Sequence, residues 1–205
     1  MIGEEAFRVL LVNLTDGKSE PVLVGDPSEM LGGSGLAAGL FTVHGIMDAP
    51  ADHPDQPLIF ATGPLTAYFP LMSKVVLCFK SPYNGQYTES HAGGRLGLAL
   101  RLAGYDALVI TGAAQTPSCL IVGSRTIEIR DVHYLWGLDV LSTGKHLRRF
   151  CGREAGHRSI LRIGPAGERG VAFARINVDT YRHFGRLGGG AVMGSKRLKG
   201  ILVLG

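Results

Sequence analysis

His91-Ala92-Gly93-Gly94-Arg95-Leu96-Gly97 stands between Lys80-Ser81-Pro82 and Ala103-Gly104-Tyr105-Asp106-Ala107-Leu108-Val109-Ile110. It reads as a strand end, a glycine turn, a short helix and a second strand. Near the C-terminus lies a partner, Arg182-His183-Phe184-Gly185-Arg186-Leu187-Gly188-Gly189-Gly190, ahead of Ala191-Val192-Met193-Gly194-Ser195-Lys196. Gly-Arg-Leu-Gly occurs in both, at 94–97 and 185–188. The pair predicts one anion-binding platform made of two glycine–arginine turns.

Working outward, the two turns sit in halves that look related. Ile59-Phe60-Ala61-Thr62-Gly63-Pro64 resembles Ile160-Leu161-Arg162-Ile163-Gly164-Pro165. A strand is expected after each, at 75–79 and 171–176. Then come Gly-Arg-Leu-Gly, a small-residue helix and a last strand, at 107–110 or 201–204. Chance likeness between glycine-rich segments is the alternative to an internal duplication. If the duplication holds, the turns face each other across a pseudo-two-fold axis.

The remaining chain fits this plan. Residues 7–14 and 20–24 form a hairpin closed by Thr15-Asp16-Gly17-Lys18. Asp26-Pro27-Ser28-Glu29 opens a helical turn, interrupted by Leu31-Gly32-Gly33-Ser34-Gly35 and carried on over 36–41. Those glycines suit either an anion site at a helix start or close packing. A proline-rich loop covers 48–57. Strands are expected at 58–62, 74–79, 107–111, 118–122, 126–130, 159–163, 171–177 and 200–204. Helices are expected after 95 and over 141–150, the first of them well buried. The fold class is α+β: two related β-rich halves with short helices, in one domain over 1–205.

Composition bounds the chemistry. The chain has 205 residues, 45% hydrophobic and 19% charged, enough for a core without metal or disulfide help. Its 30 glycines are about twice the usual share of roughly 7% and must serve tight turns and close backbone approach. A net charge of +4 suits an anionic ligand. No basic run interleaved with aromatics speaks for nucleic acid. Cys78, Cys119 and Cys151 are too scattered for a cysteine-built Fe–S or zinc site and read as buried free thiols. The acidic start Met1-Ile2-Gly3-Glu4-Glu5 is unlike a signal peptide, and no apolar run reaches about 20 residues. The expectation is a cytoplasmic protein without a membrane partner.

At the turns, glycines let backbone N–H groups approach phosphate oxygens, and Arg95, Arg182 and Arg186 supply charge-assisted bonds. Lys74 opens the strand that feeds the first turn. Ordinary tight turns with solvated arginines are the plainer reading. Neither turn matches a P-loop or a dinucleotide-binding fingerprint. His91 and His183 stand at comparable places, for metal ligation, for positioning through backbone carbonyls or for proton handling. Glu89 either orients His91 or is a solvated strand residue. Tyr105, Asp106 and Trp136 read as packing and turn residues. No nucleophile–base set emerges; Ser34 and Ser90 lie near glycines without a nucleophile elbow.

Seven stretches together resemble the N-terminal domain of the tungsten-containing aldehyde ferredoxin oxidoreductase family. They are Leu31-Gly32-Gly33-Ser34-Gly35-Leu36-Ala37, Ala61-Thr62-Gly63-Pro64-Leu65-Thr66, Lys80-Ser81-Pro82, Glu89-Ser90-His91-Ala92-Gly93-Gly94-Arg95, Ala103-Gly104-Tyr105-Asp106-Ala107, Ile163-Gly164-Pro165-Ala166-Gly167 and the segment from Gly190 to Lys196. The resemblance implies a base for a bis-pterin tungsten (or molybdenum) cofactor, with a magnesium ion bridging the two pterin phosphates. It implies that the carbonyls of His91 and His183 bind that magnesium. Lys74, Gly93 and Arg182 fall at pterin-contacting positions, and Ala92, Gly94, Arg95, Gly185 and Arg186 complete the expected cofactor-binding set. The family more often has Arg where Lys74 stands, and Lys lacks the planar fork of Arg.

The resemblance further implies an aldehyde-oxidising enzyme that uses ferredoxin as electron acceptor. Its 4Fe-4S cluster and proton-transfer residues belong to later domains, so the expected partners are those C-terminal domains or a separate subunit. The chain alone is expected to be inactive. A non-enzymatic cofactor carrier or assembly subunit is the alternative. An uncovered apolar and cationic face would favour self-association.

Overall fold

The computed structural model describes residues 5–152 and 156–205; the acidic start at 1–4 lies outside them. Two six-stranded mixed sheets, with short helices between and around them, form an α+β fold. The first sheet holds β1 (Phe7–Asn13), β2 (Ser19–Val24), β3 (Leu58–Thr62), β4 (Val75–Lys80), β5 (Tyr87–Ala92) and β6 (Ala107–Thr111), in the order β2-β1-β6-β3-β4-β5. The second holds β7 (Ser118–Gly123), β8 (Ile127–Asp131), β9 (Arg158–Arg162), β10 (Ile176–Val178), β11 (Arg182–Phe184) and β12 (Leu198–Leu204), in the order β11-β10-β9-β12-β7-β8.

Adding six to each strand number of the first sheet reproduces the second. The pairing senses agree as well: β1 with β6 and β7 with β12 are parallel, and the other pairs are antiparallel. The two halves therefore share one topology, as the internal repeat predicts.

The helices are α1 (Pro27–Met30), α2 (Gly33–His44), α3 (Leu96–Leu102), α4 (Val140–Leu147), α5 (Pro165–Glu168) and α6 (Gly189–Ser195). Asp26 caps α1 by accepting the Ser28 N–H at 2.7 Å. Strand alternation sorts the core into layers. In β3, Leu58 and Phe60 face the second sheet while Ile59 and Ala61 face α2; in β4, Leu77 and Phe79 oppose Val76 and Cys78 in the same way. Leu161, Ile163, Ile176 and Ile201 complete the central layer from the other side, and Phe60 meets Phe184 edge-on at 5.6 Å. Each such side chain contributes about 1.5–3 kcal/mol by burial. Leu147 of α4 and Leu135 cover the outer face of the second sheet.

Two helices cross over between halves. α3 follows β5 yet packs on β9 and β12, and α6 follows β11 yet packs on β3 and β4. Only a small residue permits the second crossing: a Cβ on Gly189 would come within 2.9 Å of Leu77 Cδ2 in β4.

Some expectations are corrected. The apolar run at 171–175 is not a strand; Val171 bonds back to Ala166 and Ala174 to Val171, and β10 begins only at Ile176. α4 ends at Leu147, and Arg148–Cys151 continue as a 3-10 turn. α3 is buried along one side only, with Leu102 46% exposed. The three cysteines are free and buried, and burial pushes the Cys78 thiol up to about 12. Asp106 does more than shape a turn: fully buried, it pairs with Arg101 and accepts the Arg8 N–H at 2.8 Å.

Candidate functional site

The site lies where the free edges of the two sheets meet. β5 is the edge of one and β11 the edge of the other. A Cβ on Gly94 would stand 3.4 Å from Arg182 Cγ, and the Arg186 N–H donates to Ser90 Oγ at 3.3 Å. The strands therefore pass each other in opposite directions. Midway between those contacts Ala92 lies opposite Phe184, so His91 and His183 flank the crossing and Gly93 and Gly185 follow it.

Strand register refines the correspondence of the halves. Ala92 ends β5 opposite Val75, and Phe184 ends β11 opposite Ile176. His91 thus matches His183, and Gly93 matches Gly185. The Gly-Arg-Leu-Gly spellings are offset by one residue from the structural equivalence. α3 starts inside its copy, at Leu96, whereas α6 starts after its own, at Gly189. Leu187 instead adopts a φ of 57°, a left-handed conformation costing about 1–2 kcal/mol for a residue with a Cβ. The Ser81 hydroxyl holds the Leu187 carbonyl there at 2.8 Å. Ser81 and Ser90 thus tie the second turn to the first half, a role the sequence pattern did not reveal.

Gly93 and Gly185 share an unusual property. Neither has a positive φ, and a Cβ on either would meet nothing within 4 Å. No backbone conformation and no neighbour in this chain calls for glycine there. Gly188 differs: its φ is 92° and a Cβ would strike the Ala172 carbonyl oxygen at 2.2 Å.

Around that space stand exposed cations. Lys74 leaves the sheet beside Gly93, one residue before the Val75–Ala92 pair. Arg182 and Arg186 are exposed on β11 and its turn. Among the described residues no carboxylate lies within ion-pair distance of Lys74, Arg182 or Arg186. Arg95, 64% exposed, is 3.9 Å from Asp179. Register exposes a cation that sequence spacing missed. Arg175 precedes the Ile176–Phe184 pair as Lys74 precedes the Val75–Ala92 pair, and it is also exposed.

The two histidine side chains are held differently. His91 projects with Tyr87 and Glu89 toward the α2 side of the sheet. Glu89 accepts from Ser34 Oγ at 2.6 Å and Tyr87 OH at 2.7 Å, and His91 Nε2 is 3.4 Å away. Glu89 is therefore an organising carboxylate. Burial pushes its pKa up, but the Ser34 and Tyr87 hydroxyls and His91 outweigh this and hold it below the usual carboxylate range. His183 Nδ1 lies 3.4 Å from Asn177 Nδ2, and Asn177 Oδ1 is buried without a hydrogen-bond partner. Among the described residues no three His, Cys, Asp or Glu side chains form a metal-ligand group. A cation at this crossing would have to rely on backbone carbonyls, water or its ligand.

Unpaired cations and glycines facing open space fit a polyanionic ligand with a flat body. Exposed apolar side chains adjoin it: Leu71 at 95% and Phe69 at 55% in the link before Lys74, and Phe173 at 70% in the equivalent link before Arg175. No described helix is long and apolar enough to cross a membrane.

Comparison with known proteins adds independent findings. The family model of the aldehyde ferredoxin oxidoreductase N-terminal domain matches residues 9–205. A tungsten-containing aldehyde ferredoxin oxidoreductase of Pyrococcus abyssi is 40% identical over 203 residues, covering 97% of this chain and 33% of that protein. An aliphatic sulfonate oxidoreductase, WOR-like subunit, of Pyrococcus furiosus is 37% identical over 158 residues, covering 72% of this chain and 25% of that protein. Among solved structures, the active-site complex BamBC of benzoyl coenzyme A reductase with 1,5-dienoyl-CoA matches with a TM-score of 0.91 at 30% identity, over 98% of this chain and 31% of that one. The chain spans between a quarter and a third of the length of these curated relatives.

Proposed function

The chain belongs to the aldehyde ferredoxin oxidoreductase family as an N-terminal domain, and from that premise we propose that it is a single domain holding a tungsten (or molybdenum) bis-pterin cofactor. The observation that carries this reading is the matched pair Gly93 and Gly185, each facing space that nothing in the chain fills. A pterin body laid across the crossing of β5 and β11 needs that clearance. Lys74, Arg95, Arg182 and Arg186, with the backbone of Ala92 and Gly94, would hold the phosphates. The backbone carbonyls of His91 and His183, one on each strand, would supply oxygen ligands to a magnesium ion, since hard cations prefer oxygen ligands.

When bound, the cofactor supplies two-electron oxidation of an aldehyde to a carboxylic acid. The residues of this chain bind and orient it and offset phosphate charge. The electron path through a 4Fe-4S cluster to ferredoxin belongs to the parts of the relatives that this chain does not span. Those parts also cover Phe69, Leu71 and Phe173. The 205-residue chain alone is therefore expected to give no aldehyde-dependent dye reduction. A second reading, a cofactor-carrying subunit whose remaining parts are on another chain, draws support from the relative named as a subunit and from the two-component solved complex.

The test is tungsten, molybdenum and pterin content per protein molecule, for the wild type and for Gly93→Leu and Arg182→Ala. Both sites are open enough to leave the melting temperature unchanged. The expected result is loss of most bound metal and pterin in each variant. Wild-type content in both would refute the reading.

A further inference from the structure

A second concave region concentrates charge away from the crossing. It is a cavity of about 480 Å³ between α4, β9 and the link joining β10 to β11. Lys145 lines it from α4 and Arg148 from the 3-10 turn that continues α4, Arg158 and Arg162 from β9, and Arg95 from the first turn, against the single carboxylate of Asp179. Five cations less one anion leave four positive charges in excess. The carboxylate is already engaged, accepting the Ile160 N–H at 3.0 Å and the Ser159 hydroxyl at 3.2 Å.

Arg162 forms the floor. It is only 4% exposed, with Nε donating to the Val140 carbonyl at 2.6 Å and a terminal nitrogen to the Ile160 carbonyl at 3.3 Å. No carboxylate among the described residues lies within ion-pair distance of it. Gly144 makes room for it, because a Cβ there would come within 2.7 Å of its Nε. Burial disfavours its charge and lowers its pKa; the Asp179 carboxylate offsets part of this, and Arg148 adds to it. A guanidinium held in a low-dielectric floor beside further cations is costly unless an anion joins it.

We propose that this cleft binds a small pyrophosphate-bearing ligand. The cations come from three separate elements, so they converge on a ligand with several anionic oxygens rather than on one. The excess of four covers the two to three negative charges of a diphosphate ester and the three to four of inorganic pyrophosphate, the probe used below. The volume falls within the range of about 300–1,000 Å³ usual for small-molecule sites. A buried arginine at the base of a cavity is out of reach of a flat acidic protein surface. Arginine forks favour paired phosphate oxygens. The inference stands apart from the pterin reading; Arg95 is the one residue the two sites share.

The test is calorimetric titration of the purified protein with inorganic pyrophosphate at low ionic strength without magnesium. It compares the wild type, the double variant Lys145→Ala/Arg148→Ala, and Arg182→Ala in the other site. Lys145 and Arg148 are exposed, so an unchanged melting temperature is expected of the double variant. The expected result is one saturable cleft site, weakened about ten-fold or more in the double variant and unaffected by Arg182→Ala. Absence of saturable binding would overturn the proposal, as would full affinity in the double variant. Binding lost through Arg182→Ala would place the anion at the turns and overturn it equally.

Discussion

Two residues differ from their neighbours by what they do not touch. Glycine is normally explained by a positive φ or by a crowded Cβ position, and Gly93 and Gly185 have neither. The cations around them follow the same logic, since exposed arginines without carboxylates are available to a ligand. Lys74 and Arg175 hold equivalent places, so Arg175→Ala is expected to lower bound pterin as much as Lys74→Ala does; pterin fluorescence of the two released pools checks this. Glu89 yields a pH prediction. Its folded pKa is depressed relative to an unfolded value of about 4.3. Its contribution to stability is therefore present above about pH 4.3 and is lost as pH falls through the folded pKa. The stability gap between wild type and Glu89→Gln, measured by urea unfolding, should be constant near neutrality and close below that range. A gap that persists unchanged to about pH 3 would show that the carboxylate charge is not what matters.

At the scale of elements, most strands were legible because they alternate or are continuously apolar. The failures are informative. Val171-Ala172-Phe173-Ala174 has strand composition, yet its backbone bonds locally and Phe173 faces outward. β11 is three residues long and polar at its start, so only its pairing with β10 defines it. The Gly-Arg-Leu-Gly match pointed to the right pair of turns but in a register shifted by one, because spelling ignores where a strand ends. His91 and His183 do correspond in the two halves, because each immediately precedes its strand's last residue. The junction of β5 and β11 depends on side-chain contacts no local pattern encodes. Ser90→Ala removes the acceptor of the Arg186 N–H. It is expected to cost about 1 kcal/mol and to speed hydrogen exchange at the Arg186 amide, leaving amides in β1 and β7 unchanged. Unchanged exchange at Arg186 would mean that this bond does not hold the turn.

Over the whole molecule, duplication explains why one chain carries two matching sets of turns, glycines and cations. Each half contributes a sheet edge, a glycine turn, a cation ahead of an inner strand and a crossing helix. The repeat was visible in sequence only as scattered landmarks, since the intervening loops differ; the identical strand order makes it definite. The apolar links beside the site also come in equivalent places. With Leu71 and Phe69 exposed, the 205-residue chain alone is expected to self-associate as concentration rises. Phe69→Glu/Leu71→Glu should suppress this in sedimentation velocity, while undiminished association would place the contact elsewhere.

The central claim is that the two turns jointly hold one bis-pterin metal centre. It is tested most directly by anomalous diffraction at the tungsten or molybdenum edge from crystals of the purified cofactor-loaded protein. The account predicts one heavy-metal peak above the crossing of β5 and β11, with pterin density over Gly93 and Gly185, phosphate density beside Lys74, Arg182 and Arg186, and a light cation between the carbonyls of His91 and His183. A peak remote from that crossing, or a cofactor touching only one of the two turns, would contradict it.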